Sequence, residues 1–460
     1  MRYQFTQRVT LPAAAACIMA AAPAGAQDLQ SVRREIQEMR QLYDSRLAQM
    51  KADYEARIQD MEQRLKSAED ATAVATDKAV AAQQTAAQAA QAGPADAAIG
   101  TSKNSDNAFN PAISAVLDGK FGVFSTNPNT YKIPGFMLGD DTSPGKRGIA
   151  LGESEIGLSA NVDQALYGNV TLSFSSENTV SVEEAFLQTT ALPYGLKVKA
   201  GRFFSDIGYL NNQHAHTWDF ADTALPYRAM LNTQYDDDGV QLKWVAPTTT
   251  FVEIGSEVFR GDAFPAAGAK NAGLGSYTAF THVGGDINDS SSYRTGLSWL
   301  HTEARNRVNG PDTFTGRDNL FILDGVYKWA PDGNPVERNL KLQGEFFYRR
   351  EAGDLNGMTF GGDHQLGWYA QAVYQFMPDW RVGVRYDGVS ASQLNSSFAG
   401  TVLDSRGTTP QRESIMADYS TSEFGRFRLQ YNHDESRPKT DHQALLQYTI
   451  SLGAHGAHSY

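Results

Sequence analysis

The sequence predicts an all-β fold: a transmembrane antiparallel β-barrel of about 16 strands, preceded by an N-terminal α-helical coiled coil. Three observations lead to this prediction. The chain opens with an export signal, the part after Phe109 alternates between apolar and polar side chains, and no run after the signal approaches the roughly 18 apolar residues of a membrane helix. A barrel strand shows only every second residue to lipid, so the modest hydrophobic content fits a membrane barrel.

Residues 1–26 have the pattern of a cleaved signal peptide. Two arginines precede an apolar stretch at residues 9–22, and small residues at 24–26 provide a cleavage site. We therefore expect the mature chain to begin at Gln27. The single cysteine, Cys17, lies in the signal, so the mature chain is expected to have no thiol for disulfide formation.

Residues 27–92 predict a periplasmic coiled coil, because they contain no Gly or Pro and carry an eleven-residue repeat. The repeated side chains are Ile36, Met39 and Tyr43, then Leu47, Met50 and Tyr54, then Ile58, Met61 and Leu65. This period gives about 3.67 residues per turn and a straight or right-handed supercoil. A single surface helix is the alternative, but no folded body adjoins so long a stripe, and we expect a trimer. Gly93-Pro94 ends the helix, and residues 93–108 form a linker.

Alternation with a period of two predicts that residues 109–460 form the barrel. On one stretch, apolar Trp380, Val382 and Val384 alternate with Arg381, Gly383 and Arg385. The predicted strands lie near residues 113–124, 149–162, 166–174, 179–191, 196–203, 237–246, 250–260, 275–284, 290–302, 318–329, 339–349, 364–376, 380–388, 412–420, 424–433 and 442–453. A soluble β-sandwich also alternates, but aromatic residues at the strand ends favour a membrane barrel with interfacial girdles.

Short and long connections alternate between these strands. Short turns are predicted at residues 163–164, 193–194, 246–247, 287–288, 331–333, 378–379 and 421–422, and longer loops near 125–147, 204–235, 261–274, 303–317, 350–363 and 389–411. This rhythm is typical of periplasmic turns and extracellular loops. We expect an outer-membrane protein of a Gram-negative bacterium, in contact with lipid and lipopolysaccharide, with both termini in the periplasm.

The connection at residues 204–235 is the predicted pore constriction. Its residues with functional chemistry are His214, His216, Trp218, Asp219 and Asp222. Imidazole and carboxylate together suit zinc and similar divalent ions, and His214, His216 and Asp219 are the candidate ligands of a transient site. The alternative is that both histidines hydrogen-bond to the barrel wall and hold the loop in place.

Charged residues on the polar face of the predicted strands are expected to line the pore. The basic candidates are Lys197, Lys199, Arg202, Lys243, Arg381, Arg385, Arg426 and Arg428. They can form a selectivity filter or pair with carboxylates across strands. The formal net charge of −12 does not decide between anion and cation selectivity. No serine-hydrolase, zinc-protease or phosphate-loop motif is present, so we expect no enzyme, and no cofactor beyond a transient divalent cation.

Two stretches resemble the phosphate-selective-porin-like group of outer-membrane barrels. They are residues 109–114 and residues 182–209, where Glu184-Ala185-Phe186 is followed by Gly201-Arg202-Phe203. Residues 211–220 are similar to a proteobacterial branch labelled zinc-regulated outer-membrane proteins. The resemblance implies a sixteen-stranded, trimeric channel. The ordered lysine-arginine ladder of a phosphate filter is not evident.

These observations predict a channel for passive diffusion of small hydrophilic solutes or ions, with a link to divalent-metal uptake. A structural role is the alternative, in which the coiled coil anchors the outer membrane to peptidoglycan or to a periplasmic protein. A helix of about 65 residues at 1.5 Å per residue spans roughly 100 Å, enough for such a tether. We expect no nucleic-acid partner.

Overall fold

The computed structural model describes residues 111–266 and 273–453, together with the isolated positions Gln37, Met39, Gln41, Lys51 and Lys66. The chain divides into two units, Met1–Asn104 and Ser105–Tyr460, and every described strand belongs to the second. The expected signal peptide, coiled-coil assembly and linker lie outside the described residues and stay predictions.

The described residues of the second unit form a single antiparallel sheet with one short helix. Its strands are β1 (Ala112–Phe124), β2 (Gly148–Leu151), β3 (Ser154–Asn161), β4 (Leu166–Phe174), β5 (Val180–Thr189), β6 (Leu196–Phe204), β7 (Asp236–Val245), β8 (Phe251–Phe259), β9 (Ser276–Asn288), β10 (Ser291–Asn309), β11 (Asp312–Trp329), β12 (Asn339–Leu355), β13 (Met358–Met377), β14 (Trp380–Ala391), β15 (Gln411–Ser422), β16 (Gly425–Asp434) and β17 (Asp441–Gly453). Helix α1 is Leu225–Leu231, and 3-10 turns occupy Pro128–Thr130, Pro193–Gly195, Ala215–Thr217, Pro331–Gly333 and Ser396–Phe398.

The sheet closes on itself, because β1 pairs with β17 from Ser114↔Gly453 to Phe124↔Gln443. Both β2 and β3 pair with β1, so they are two parts of one barrel strand and the seventeen segments make sixteen strands. The strand breaks at Gly152, where an added Cβ would lie 2.0 Å from Asp118 Oδ2. The expected sixteen-stranded antiparallel barrel is confirmed, and closure leaves no unpaired strand edge.

The barrel is apolar outside and polar inside. On β14, the even positions Val382 and Val384 are exposed, whereas the odd positions Arg385 and Asp387 are 4% exposed and fully buried, respectively. Aromatic pairs such as Trp380 and Tyr419, with ring centroids 4.8 Å apart, lie on the outer face. A soluble sandwich would bury the apolar face instead. Among the described residues, no helix has the length and apolar character needed to cross a membrane.

Two predicted long loops are wrong. Residues 303–317 and 350–363 instead continue β10 to β13 as long hairpins, with tight turns at Gly310-Pro311 and Asn356-Gly357. Both Asn356 (φ 54°) and Gly357 (φ 86°) have positive φ, as a two-residue hairpin turn of Asn-Gly type requires. These hairpins carry polar residues on both faces, so the apolar alternation that marks the other strands is absent from their sequence.

Hydrophobic packing inside the barrel fixes the longest connection. All seven residues of α1 are buried, and Leu225, Tyr227 and Met230 pack in one cluster with Phe347 and Tyr369 of the wall. Burying each large apolar side chain contributes about 1.5–3 kcal/mol. The segment between β6 and β7 therefore has a defined place in the lumen rather than lying outside the barrel.

Candidate functional site

The connection between β6 and β7, residues 205–235, is called loop 3 below. Its first turn is held by two buried carboxylates of the barrel wall. Glu257 on β8 accepts hydrogen bonds from the Ser205 hydroxyl and, at 3.0 Å, from the backbone N–H of Asp206. Glu345 on β12 accepts from the backbone N–H groups of Tyr209 and Leu210, both at 3.1 Å. The backbone N–H groups of a loop usually donate to water, but here the two glutamates of the barrel wall accept these hydrogen bonds.

Asp219 joins loop 3 to cationic groups on the other side of the lumen. Its carboxylate lies 3.0 Å from Lys341 Nζ and 3.2 Å from Arg381 Nη1, and it accepts from Gln371 Nε2 at 3.0 Å. Burial opposes ionisation of Asp219, but Lys341 and Arg381 outweigh it and hold the pKa of the carboxyl well below its usual range. Asp219 is therefore an ionised anchor.

Asp222 is a second anchor of loop 3 and contacts three arginines. It meets Arg385 at 2.7 Å, Arg412 at 2.9 Å and Arg228 at 3.2 Å. Burial again opposes ionisation, and the guanidinium groups of Arg412 and Arg385 again hold the pKa of this carboxyl well below its usual range. Arg385 and Arg412 also pair with Asp387 on β14, so a second buried carboxylate shares these two guanidinium groups.

The two histidines of loop 3 face an acidic part of the wall. His216 Nδ1 lies 2.8 Å from Glu155 Oε1, and His214 Nδ1 lies 3.2 Å from Glu155 Oε2. One ligand atom from each of these three residues falls within 4.8 Å of the others, a spacing that suits a metal ion. Burial would lower the pKa of His214, but its contacts with Glu155, Glu183 and Glu184 prevail and raise it well above the ordinary value.

A β-bulge brings two more carboxylates to His214. Thr171 on β4 pairs with Glu184 and Leu172 pairs with Val182, so Glu183 has no partner across the strand pair. An extra residue of this kind lets consecutive side chains share one face of a sheet. Glu183 Oε1 lies 3.5 Å from His214 Nδ1, and Glu184 Oε2 lies 3.2 Å from His214 Nε2.

The third ligand that the sequence suggested, Asp219, is not part of this group, and Glu155 faces the histidines in its place. The separation has an electrostatic reason, since Asp219 is held by Lys341 and Arg381. Trp218 is buried in loop 3, and its indole N–H donates to the backbone oxygen of Gln213 at 2.9 Å.

Most of the expected pore-lining cations share the inner face. Lys243 pairs with Asp206 at 2.6 Å, Arg428 pairs with Asp418 at 3.2 Å, and Arg426 donates to the backbone oxygen of His216 at 2.6 Å. Lys197 and Lys199 lie beside Lys243 and Gln241 of β7 in register, on the same face.

Arg202 differs from this group. Its register partner is Asp238 of β7, which lies on the same face of the sheet as the exposed Val240 and Leu242. The Arg202 guanidinium binds the Asp238 carboxylate at 2.8 Å. Two outward-facing charges therefore neutralise each other on the outer face, and Arg202 is not a lumen residue. The alternation of β6 already places Arg202 on the opposite face from Lys197 and Lys199, so counting along the strand would have excluded it from the lumen.

A cavity of about 1170 Å³ lies between loop 3 and the short-turn end of the barrel. Loop 3 contributes Tyr209, His214, Thr217 and Asp219 to its lining. The rest of the lining carries side chains of both charges. The basic ones are Arg294, Lys328, Lys341, Arg381 and Arg426, and the acidic ones are Asp286, Asp289 and Asp379. This cavity, lined by side chains of both charges, lies apart from the apolar packing around α1.

The closed sixteen-stranded sheet, its apolar exterior and its third loop folded inside define the class: an antiparallel β-barrel with an internal loop. No family model matches the chain. An uncharacterized protein of Aquifex aeolicus (strain VF5) is 30% identical over 396 residues, which cover 77% of this chain and 81% of that protein. The chain belongs to the same family as this Aquifex protein.

Similar solved structures are outer-membrane proteins. An anion-selective porin from Comamonas acidovorans is 10% identical with a TM-score of 0.49, and the match covers 75% of this chain and 99% of that chain. OmpT of Vibrio cholerae in its trimer form is 11% identical with a TM-score of 0.48, covering 75% and 99%. The outer-membrane channel DcaP of Acinetobacter baumannii is 11% identical with a TM-score of 0.48, covering 75% and 97%.

Proposed function

We propose that this protein is a channel in the outer membrane of a Gram-negative bacterium, through which small hydrophilic solutes or ions diffuse passively. The proposal rests on the distribution of side chains, which are mainly apolar on the outer face of the barrel and polar on the inner face. Outward residues such as Leu429 (60% exposed) and Val384 (57% exposed) leave a broad apolar surface uncovered. A surface of this extent needs lipid or another apolar cover, and a closed barrel is one of the two folds that satisfy all backbone groups in a bilayer.

Loop 3 is the proposed constriction. It crosses the lumen from a glutamate-rich wall, where Glu155 meets its histidines, to an arginine-rich wall, where Arg381 and Arg385 meet its aspartates. Charges of opposite sign therefore lie on opposite sides of the loop. We infer that a permeating solute passes through a transverse field, which favours polar and dipolar solutes over apolar ones.

The short turns are proposed to lie in the periplasm, so that the cavity lined by Lys341 and Arg381 is the periplasmic vestibule. This orientation places both termini on the periplasmic side, as the predicted coiled coil requires. A homotrimer follows from the coil prediction and agrees with the wide apolar exterior. The structural alternative, in which the coil tethers the membrane to peptidoglycan, can hold together with conduction.

Reconstitution of the full-length protein into planar bilayers tests the proposed function. Discrete, stepwise conductance is expected, together with a reversal potential in a salt gradient that reports ion selectivity. Heat-modifiable migration on gels verifies that the same preparation is a folded barrel. A folded, inserted barrel that gives no conductance steps would leave only the structural role.

A further inference from the structure

Four side chains converge where loop 3 touches the acidic wall. Glu155 comes from β3, Glu183 from the bulge of β5, and His214 and His216 from loop 3. Three of the four are less than one-tenth exposed, and the side chain of His214 is 22% exposed. Two imidazoles and two carboxylates are a donor set that zinc and similar divalent transition metals prefer.

The contacts that the two histidines make with Glu155 and Glu183 are close to the ligand spacing of a tetrahedral ion. Ligand bonds of about 2.0–2.2 Å place neighbouring ligands of a tetrahedral zinc site roughly 3.3–3.6 Å apart. His214 Nδ1 lies 3.2 Å from Glu155 Oε2 and 3.5 Å from Glu183 Oε1. His216 Nδ1 lies 2.8 Å from Glu155 Oε1, a contact that would open by about 0.5–0.8 Å to reach this spacing.

Glu183 is an independent sign that a cation belongs here. Its residue is 7% exposed, and neither carboxylate oxygen has a hydrogen-bond partner. A buried carboxylate without a hydrogen bond is costly. The contact of Glu183 with His214 Nδ1 is long, at 3.5 Å, and that ring nitrogen has no hydrogen-bond partner either. An ion bound by both atoms would satisfy both groups.

The surroundings also match those of metal-binding histidines. A histidine ligand usually donates its second ring N–H to a carboxylate, which fixes the ring and its tautomer. Glu184 Oε2 lies 3.2 Å from His214 Nε2 and provides that acceptor. Arg426 donates to the backbone oxygen of His216 at 2.6 Å and fixes the second ligand's backbone.

We propose that Glu155, Glu183, His214 and His216 form a binding site for one divalent transition-metal ion, with Zn²⁺ the best match, and that Glu184 positions His214. The ion fastens the tip of loop 3 to β3 and β5, opposite the ion pairs of Asp219 and Asp222. The proposal rests on the place of loop 3 in the barrel and not on conduction. A barrel that binds Zn²⁺ without conducting would remove the channel and leave this site intact.

The test is metal binding by the folded full-length protein in detergent after treatment with a chelator. Zn²⁺ is titrated by calorimetry, and Co²⁺ is titrated by visible absorption, which is intense for a tetrahedral site. We expect one ion per chain in the wild type. His214→Ala with His216→Ala should lower the affinity by at least about 100-fold, and Glu184→Gln by about 10- to 100-fold, as for other carboxylates that support a metal-binding histidine.

Two further variants separate metal binding from folding. Glu183→Gln keeps the size of the side chain and breaks no hydrogen bond, so the barrel should stay heat-modifiable while Zn²⁺ affinity falls about tenfold or more. His433→Ala with His442→Ala is the matched control, because this pair (ring centroids 5.1 Å apart) lies on the outer face, and it should bind like the wild type. Absence of saturable binding to the wild type, or equal affinity in the His214/His216 double variant, would overturn the proposal.

Discussion

Asp222 of loop 3 and Arg412 of β15 form a buried ion pair across 190 positions of sequence, with Nη1 2.9 Å from Oδ2. Arg412 is fully buried and Asp222 is 8% exposed. The pair links loop 3, the proposed constriction, to the barrel wall. It is one of the contacts that give loop 3 a single position in the lumen.

Removal of the Asp222 carboxylate should release the loop. Asp222→Ala leaves Arg228, Arg385 and Arg412 with an unbalanced buried charge, and breaking a buried pair typically costs about 3–5 kcal/mol. We expect noisier and larger single-channel conductance, with the barrel still folded. Asp404→Asn, at an ion pair with Arg406 in the connection between β14 and β15, is the control and should behave like the wild type. Unchanged conductance in Asp222→Ala would show that other contacts suffice.

We expect loop 3 to stay docked against the barrel wall at mildly acidic pH. The folded-state pKa values of Asp219 and Asp222 are held below the unfolded value, which is about 3.9 for aspartate. Their stabilisation is therefore fully present above that value and is lost only as pH falls below it. We expect the emission of buried Trp218, isolated by comparison with Trp218→Phe, to stay blue-shifted from pH 7 to about pH 4. A red shift between pH 6 and pH 4 would contradict this.

Zinc should affect conduction if the proposed metal site borders the pathway. His214 lines the vestibule, so an ion bound there adds positive charge at the constriction. We expect micromolar-range Zn²⁺ to reduce monovalent current in the wild type and to have no effect after His214→Ala with His216→Ala. The variant His433→Ala with His442→Ala should retain the block. A block that survives removal of the loop histidines must come from another site.

The predicted coiled coil can be examined apart from the barrel. A peptide of residues 27–92 should be helical and trimeric, since its repeat would otherwise expose nine large side chains, each contributing about 1.5–3 kcal/mol when buried. Sedimentation equilibrium and circular dichroism over a concentration series measure this. A peptide that is monomeric at high concentration would refute the self-association.

Much of the barrel could be predicted from the sequence, because a period of two is a local property. Strands such as Leu166–Phe174 coincide with their predicted range, and Arg381 and Arg385 face the lumen as alternation indicates. The hairpin around Asn356-Gly357 could not be predicted the same way, because both of its faces are polar. The Asn-Gly pair was the available signal, since this dipeptide is typical of two-residue hairpin turns.

Only two of the four residues of the candidate metal site, the two histidines, could be predicted from the sequence. His214 and His216 stand together in the sequence, but Glu155 lies 61 positions from His216 and meets it only through barrel closure and loop docking. Glu183 reaches the lumen through a bulge, which shifts the alternation by one residue. Asp219 was close to the histidines in sequence, yet its strong pairing with Lys341 draws it to the other wall.

Covalent modification of loop 3 tests most directly that it lines the conducting path. The only cysteine in the sequence is Cys17, in the predicted signal, so single-cysteine variants of the mature chain should report one position each. Thr217 lines the vestibule, whereas Thr295 lies on the outer face between exposed Tyr293 and Leu297. In planar bilayers, a charged methanethiosulfonate reagent should reduce the current through Thr217→Cys in discrete steps and leave Thr295→Cys unchanged. Unaltered current through Thr217→Cys, with labelling verified by mass spectrometry, would contradict loop 3 as the constriction.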